Sequence, residues 1–243
     1  MSSAIFVNKI KQSYPDFFCC GDESKYVYKY CFPNYFVVMK KLDSTTTNEG
    51  RLDIVNPSRA SYRADKLEIC LIVDMSNMSE KDSVISHWYG LVTTYTVGQI
   101  TQADNFDMNI SNTDSGGIHY FKSVVQPYYY GIPISSDYVG ENITDYIDWY
   151  PNGSILSCGG FLHGERIGQW LHYFSNGNPS NDGIYNSVGK KEGKWTEYYS
   201  DSTLKSVGSY DKNGDKIGYW SYYDINGDQK EYEYDKCMRR LLV

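Results

Sequence analysis

Gly189-Lys190-Lys191-Glu192-Gly193-Lys194-Trp195-Thr196-Glu197-Tyr198-Tyr199-Ser200-Asp201-Ser202-Thr203-Leu204-Lys205-Ser206-Val207-Gly208-Ser209-Tyr210 is the stretch on which the fold turns. Its Gly-x-Trp triplet, Gly193 to Trp195, has counterparts at Gly168 to Trp170 and Gly218 to Trp220, so the tryptophans recur every 25 residues. A fixed period of this size marks one supersecondary unit stacked on copies of itself. Gly164, Gly189 and Gly214 keep the same interval and are followed by basic Arg166, Lys191 and Lys216. Within the unit, Trp195 to Tyr199 reads as a short strand, Asp201-Ser202 as a turn, and Leu204 to Tyr210 as the returning strand. The equivalent turns are Asn176-Gly177 and Asn226-Gly227, pairs that tolerate positive φ. Each repeat is therefore expected to be a β-hairpin, with a longer second turn at Asp211 to Lys216 leading to the next unit. Glycine inside a strand normally weakens it, but Gly183 and Gly208 are expected to leave room for an indole ring.

An earlier, looser unit begins near Tyr146, with Trp149 and Asn152-Gly153 in the corresponding places. Gly-x-Trp, paired aromatics, an Asn-Gly turn and a Gly-x-Tyr strand together resemble the variant MORN repeat, which also occurs in YwqK-like antitoxin proteins. The resemblance covers roughly Tyr146 to Tyr234. It implies a β-hairpin array used for protein or membrane contact without a catalytic centre. Two departures are Ser202, in place of the turn glycine, and Ser221-Tyr222-Tyr223, which shifts the aromatic pair by one residue. The abundance of tyrosine (25 copies) with asparagine and isoleucine also resembles repeat proteins of large DNA viruses. Choline- or cell-wall-binding repeats combine Gly, Trp and Tyr-Tyr as well, but their period is shorter and they belong to exported proteins. Met1 to Lys9 offers no basic segment followed by an apolar signal core.

The fold class expected is mainly β: a C-terminal meander of stacked β-hairpin repeats of about 25 residues, preceded by a β-rich α+β N-terminal region. The division expected is 1–139 for that region, 140–236 for the repeats and 237–243 for a tail. Ala4 to Ile10 suggests a short helix capped by Ser2 or Ser3 and ending before Pro15. Tyr26 to Tyr30, Tyr35 to Met39, Leu67 to Val73 and Tyr89 to Val97 read as strands. Asp43 to Ala64 reads as a flexible connection with little structure of its own. Gly116 to Phe121 and Tyr128 to Gly131 echo the repeat too faintly to count.

The chain has 243 residues, 41% of them hydrophobic, and no apolar run long enough to suggest a membrane span. An intracellular, cytoplasmic protein without signal peptide or transmembrane segment is expected. A net charge of −7 argues against nonspecific nucleic-acid binding, which needs a basic footprint. The six cysteines, Cys19, Cys20, Cys31, Cys70, Cys158 and Cys237, form no Cys-x-x-Cys pair, and His87, His119, His163 and His172 lack ligand spacing to them. Neither metal nor cofactor is expected. The Asp211 and Asp224 segments resemble calcium loops, but glycine comes fourth instead of sixth, so hairpin turns explain them. Gly-x-Ser-x-Gly, His-Glu-x-x-His and the phosphate-binding Gly-x-x-x-x-Gly-Lys-Ser/Thr pattern are absent.

The function expected is therefore noncatalytic: a repeat protein mediating protein–protein contact, with an anionic membrane surface as a less favoured partner. Candidate binding residues are Trp170, Trp195, Trp220, Tyr173, Tyr198, Tyr223, Arg166, Lys190, Lys191 and Lys194, with packing of the sheet the favoured reading of the tryptophans, because a large exposed aromatic stripe is an aggregation hazard unless used. Lys216 belongs with the basic residues beside the glycine turns. The alternatives are a choline- or cell-wall-binding-like module, or an enzyme or nucleotide-binding protein using Asp74, Asp104 or Asp107 with His87 or His119 in residues 1–139.

Overall fold

The computed structural model describes residues 3–18, 25–88, 91–130, 144–234 and 240–242. Cys19, Cys20, Cys237 and the expected boundary at residue 139 lie outside the described residues. The chain falls into two compact units, the first comprising residues up to Ile132 with Pro151–Gly153, the second comprising the rest.

The first unit opens with helix α1 (Ser3–Ser13) and ends in helix α2 (Val125–Tyr130). Between them lie β1 (Tyr26–Cys31), β2 (Tyr35–Lys40), β3 (Ser61–Ala64), β4 (Lys66–Asp74), β5 (Ser83–Trp88), β6 (Leu91–Thr96), β7 (Ile100–Gln102) and β8 (Ile118–Phe121). Six of these strands form a sheet in the order β3-β8-β1-β2-β4-β7, and β5 with β6 forms a separate hairpin. Alternation in β1 and β2 sends Tyr28 and Phe36 to one face, where Tyr28 stacks on Phe36 at 5.7 Å and Phe6 of α1 meets Phe36 at 5.4 Å. Val27, Val37, Met39 and Ile69 are buried in one cluster with Val84 of β5 and Tyr95 of β6.

Several expectations change here. The strand expected within Tyr89 to Val97 is present as β6, but its partner β5, paired from Ser83↔Thr96 to Trp88↔Leu91, was not expected. Polar Ser83, Ser86 and His87 conceal β5 from a hydrophobicity reading. Asp43 to Ala64 is not structureless, since it contains β3 and fully buries Asn48. The reason lies in polar groups: Asn48 Oδ1 accepts from the Arg63 N–H at 2.7 Å, and Glu49 receives Lys41, Lys122 and the Tyr120 hydroxyl. Gly117-Ile118 leads into β8 of the six-stranded sheet, and Tyr128 to Tyr130 are helical. Neither is a decayed hairpin.

Arg63 is fully buried and acts as the internal cation of the loop after β7. Its guanidinium donates to the carbonyls of Asp107, Asn109, Asn112 and Gly116 at 2.6 to 3.2 Å and lies over the Phe106 ring. A planar five-donor fork suits this convergence of acceptors, which a lysine could not match.

The second unit is one nine-stranded antiparallel sheet in which strands consecutive in the chain are neighbours. It contains β9 (Thr144–Trp149), β10 (Ile155–Leu162), β11 (Glu165–Tyr173), β12 (Pro179–Tyr185), β13 (Lys191–Tyr198), β14 (Leu204–Tyr210), β15 (Lys216–Tyr223), β16 (Gln229–Tyr234) and β17 (Arg240–Leu242). The expected hairpin meander is present, in a mainly β protein. Residues 240–242, expected within a tail, pair with β16.

Both kinds of turn close in the same way. The Ser202 N–H reaches the Tyr199 carbonyl at 2.9 Å and the Gly214 N–H reaches the Asp211 carbonyl at 3.0 Å, so the second turn is no longer than the first. Of each expected positive-φ pair only the second residue is left-handed: Gly177 at 88°, Ser202 at 72° and Gly227 at 87°. Ser202 thus keeps the geometry of the glycine it replaces.

Candidate functional site

The Gly-x-Trp triplet is a β-bulge. Opposite Gly183 alone, between Asp182↔Thr196 and Ile184↔Glu192, stand Gly193, Lys194 and Trp195. The same excess of two residues places Gly168 to Trp170 opposite Gly159, and Gly218 to Trp220 opposite Gly208. Bulges of this kind need a residue of positive φ, and Gly168, Gly193 and Gly218 lie at 63° to 67°. The bulge turns each indole back over the glycine of the preceding strand. A Cβ added at Gly159, Gly183 or Gly208 would stand 2.1 to 2.4 Å from the nearest indole carbon. Each indole N–H then donates to a carbonyl beyond that glycine: Trp170 to Gly160, Trp195 to Ile184 and Trp220 to Ser209, at 3.1 to 3.2 Å.

Trp170, Trp195 and Trp220 are 0 to 1% exposed, which makes them the core of the sheet and withdraws them as contact residues. Their rings join Phe161, Tyr185, Tyr210 and Tyr234 in a continuous edge-to-face series, with centroids 5.1 to 6.3 Å apart. Over each indole lies a cation: Arg166 at 4.6 Å, Lys191 at 4.1 Å and Lys216 at 4.1 Å. This stacking is electrostatic attraction to the ring face combined with burial of an aliphatic stem.

The cations and phenols alternate from strand to strand. Phe161 faces Arg166, Tyr185 faces Lys191 and Tyr210 faces Lys216 in the strand register. Arg166 donates to the Tyr185 hydroxyl at 3.3 Å, and Lys216 to the Tyr222 hydroxyl at 2.7 Å. Burial lowers the Lys191 pKa first, Glu197 opposes that shift, and Lys216 and Arg166 lower it further. Among the described residues, none of the three cations forms an ion pair with a carboxylate.

A second row runs beside the first. Register links Asp148, Ser157, His172, Asn181, Glu197, Ser206 and Tyr222 across successive strands. Near its start a cleft of about 540 Å³ is bordered by Tyr146, Asp148, Phe161, Arg166, His172 and Tyr185. Burial raises the Asp148 carboxyl pKa and lowers that of His172, which Arg166 and Lys191 depress further. Burial also pushes the Tyr210 phenol to about 12.

The remaining candidates divide. Tyr198 is hydrogen-bonded with Asp182 and Thr196, three positions after Trp195 and therefore on the opposite face. Tyr173 and Tyr223 occupy equivalent positions, and their carbonyls accept the Tyr150 and Tyr199 hydroxyls at 2.8 to 2.9 Å. Lys190 is exposed in a turn against Gly214, and Lys194 lies exposed within the bulge. Arg166 and Lys191 therefore share the tryptophan face with Lys216, whereas Lys190 and Lys194 do not. Tyr185, Tyr210 and Tyr234 complete this face, and the 25-residue interval from Tyr185 to Tyr210 is the sequence signal that marks them.

In the first unit, Asp74 caps Ser76 and Asp107 caps Asn109, while His87 and His119 lie on β5 and β8 of different sheets. Asp211 and Asp224 each accept two backbone N–H groups of their own turn, and no cluster of three or more His, Cys, Asp or Glu placed to hold a metal occurs among the described residues. No helix there is long and apolar enough to cross a membrane.

Residues 16–126 are similar to a family of unknown function, DUF5758. That match stops short of the repeats. No curated protein matches the chain.

Proposed function

We propose that this chain is a noncatalytic binding protein, that its C-terminal units are variant MORN-type repeats, and that their sheet presents the tryptophan face to a protein partner inside the cell. The observation that carries this reading is the placement of the basic residues. Arg166, Lys191 and Lys216 stand in one file on that face, backed by buried indoles and, among the described residues, with no carboxylate at ion-pair distance. Cations stacked on aromatic rings suit recognition, since the stacking reduces the side-chain freedom to be lost on binding. The first unit, on this reading, contributes partner choice.

The test is affinity capture with the tagged full-length chain beside a Lys191→Glu/Lys216→Glu variant whose melting temperature is first shown to be near that of the parent. A protein retained by the parent and lost by the variant is expected. Identical captured sets would overturn the reading.

A further inference from the structure

We propose that the alternating file of Arg166, Tyr185, Lys191, Tyr210, Lys216 and Tyr234 is a docking groove for an acidic polypeptide segment in the polyproline II conformation, with a carboxylate at every third residue. This rests on the protein-binding reading above and names the chemistry of its partner.

The spacing carries the argument. Arg166, Lys191 and Lys216 begin β11, β13 and β15, which are alternate strands of one sheet. Neighbouring strands lie about 4.8 Å apart, so successive cations stand about 9.6 Å apart across the sheet. A polyproline II helix has three residues per turn and rises about 3.1 Å per residue, so every third side chain returns to the same side after about 9.3 Å. The two periods agree over the whole file. An extended β-strand instead returns a side chain to one face every 6.7 Å or so and would fall out of step.

The chemistry agrees with the spacing. Each cation sits between an indole and a tyrosine: Arg166 is 5.8 Å from the Tyr185 centroid, Lys191 is 5.3 Å from Tyr210 and Lys216 is 5.5 Å from Tyr234. Aromatic-lined grooves are the usual receptors of polyproline II segments, because that helix is already ordered and presents flat proline rings. Half-buried tyrosines between the cations would take the residues between the carboxylates. The file is one residue wide. Asp148 and Glu197 lie in the adjacent row on the same face, so a two-dimensional anionic surface such as a membrane would meet repulsion there. The indoles, at 0 to 1% exposure, offer it nothing to insert.

The test uses the full-length protein, fluorescein-labelled (Glu-Pro-Pro)4, and a control of the same composition, (Glu-Glu-Pro-Pro-Pro-Pro)2, read by anisotropy. Vesicles of phosphatidylserine and phosphatidylcholine are sedimented in parallel. Expected results are saturable binding of the first peptide, at least about fivefold weaker binding of the control, and a further loss of about fivefold to tenfold in Lys191→Gln. Where Lys191→Gln lowers the melting temperature, Arg166→Gln replaces it, and Lys191→Arg is expected to retain affinity. Equal binding of both peptides, binding unchanged by the substitutions, or binding to vesicles alone would overturn the proposal. No peptide binding with capture still lost in the double variant overturns this inference and leaves the protein-binding reading standing. Unchanged capture removes both.

Discussion

Gly208→Ala is the substitution on which the packing argument can fail most clearly. In an ordinary strand, replacing glycine by alanine removes a conformational-entropy penalty and stabilises by roughly 0.5–1 kcal/mol. Here the added Cβ would stand 2.1 Å from Cδ2 of Trp220 and 2.3 Å from Cε2. The ring cannot slide away freely. Lys216 lies 4.1 Å from its centroid, Tyr210 meets it edge-on at 5.1 Å, and its N–H is bound to Ser209 at 3.1 Å. A small shift costs about 1–3 kcal/mol of overpacking, and rupture of the indole hydrogen bond adds roughly 0.5–1.5 kcal/mol. Expelling the ring altogether sets a ceiling of about 3–5 kcal/mol, the usual loss for truncating a buried tryptophan. The net destabilisation expected is therefore about 2–4 kcal/mol. Urea unfolding followed by tryptophan emission measures it, and the native emission of the variant should shift to the red. Trp220→Val should relieve the clash, so Gly208→Ala in that background should cost at least about 1 kcal/mol less than in the parent. A neutral or stabilising Gly208→Ala, or strict additivity with Trp220→Val, would refute the account.

Ser202 holds a φ of 72° at a position where the other turns have glycine, so Ser202→Gly should raise stability by about 0.5–1 kcal/mol in the same assay. Arg63→Lys should destabilise the first unit by about 3 kcal/mol or more, because four loop carbonyls converge on a guanidinium that one ammonium cannot replace; chemical denaturation followed by far-UV circular dichroism would detect it. His172 has a folded-state pKa lowered by burial and by Arg166 and Lys191, so the unfolded chain takes up its proton more readily. Stability should therefore fall as pH drops below the ordinary histidine value near 6.5 and level off below the folded pKa, with no contribution from this group above that window. His119 shifts the same way, and comparing His172→Gln with the parent isolates the share from the repeat sheet.

The repeat sheet was legible because its strongest signals are absolute requirements. Only glycine escapes contact with an indole at positions 159, 183 and 208, and only glycine avoids strain at the bulge positions, so the period is written in residues that tolerate no synonym. The bulge itself was not legible, since Gly-x-Trp reads equally well as a strand start, and the two-residue excess appears only when the partner strand is known. The split of the basic residues between faces follows from that bulge. In the first unit, strands β1, β2 and β4 carry runs of aromatic and β-branched residues and were found, whereas β5 sets Val84 and Ile85 among Ser83, Ser86 and His87 and was not. The Arg63 loop was opaque for a different reason: its order comes from a cation 44 to 53 residues away binding main-chain carbonyls, which leaves no side-chain pattern to read.

Every pairing in the nine-stranded sheet joins strands that are consecutive in the chain. A 25-residue unit therefore pairs its strands only within itself, with the unit before it and with the unit after it. Duplication of one unit would need no compensating change elsewhere, because the new indole would bring its own glycine, cation and turn. The sheet is in this sense a ruler, graduated in steps of about 9.6 Å, whose length can be altered by copying a segment of gene without redesigning a core.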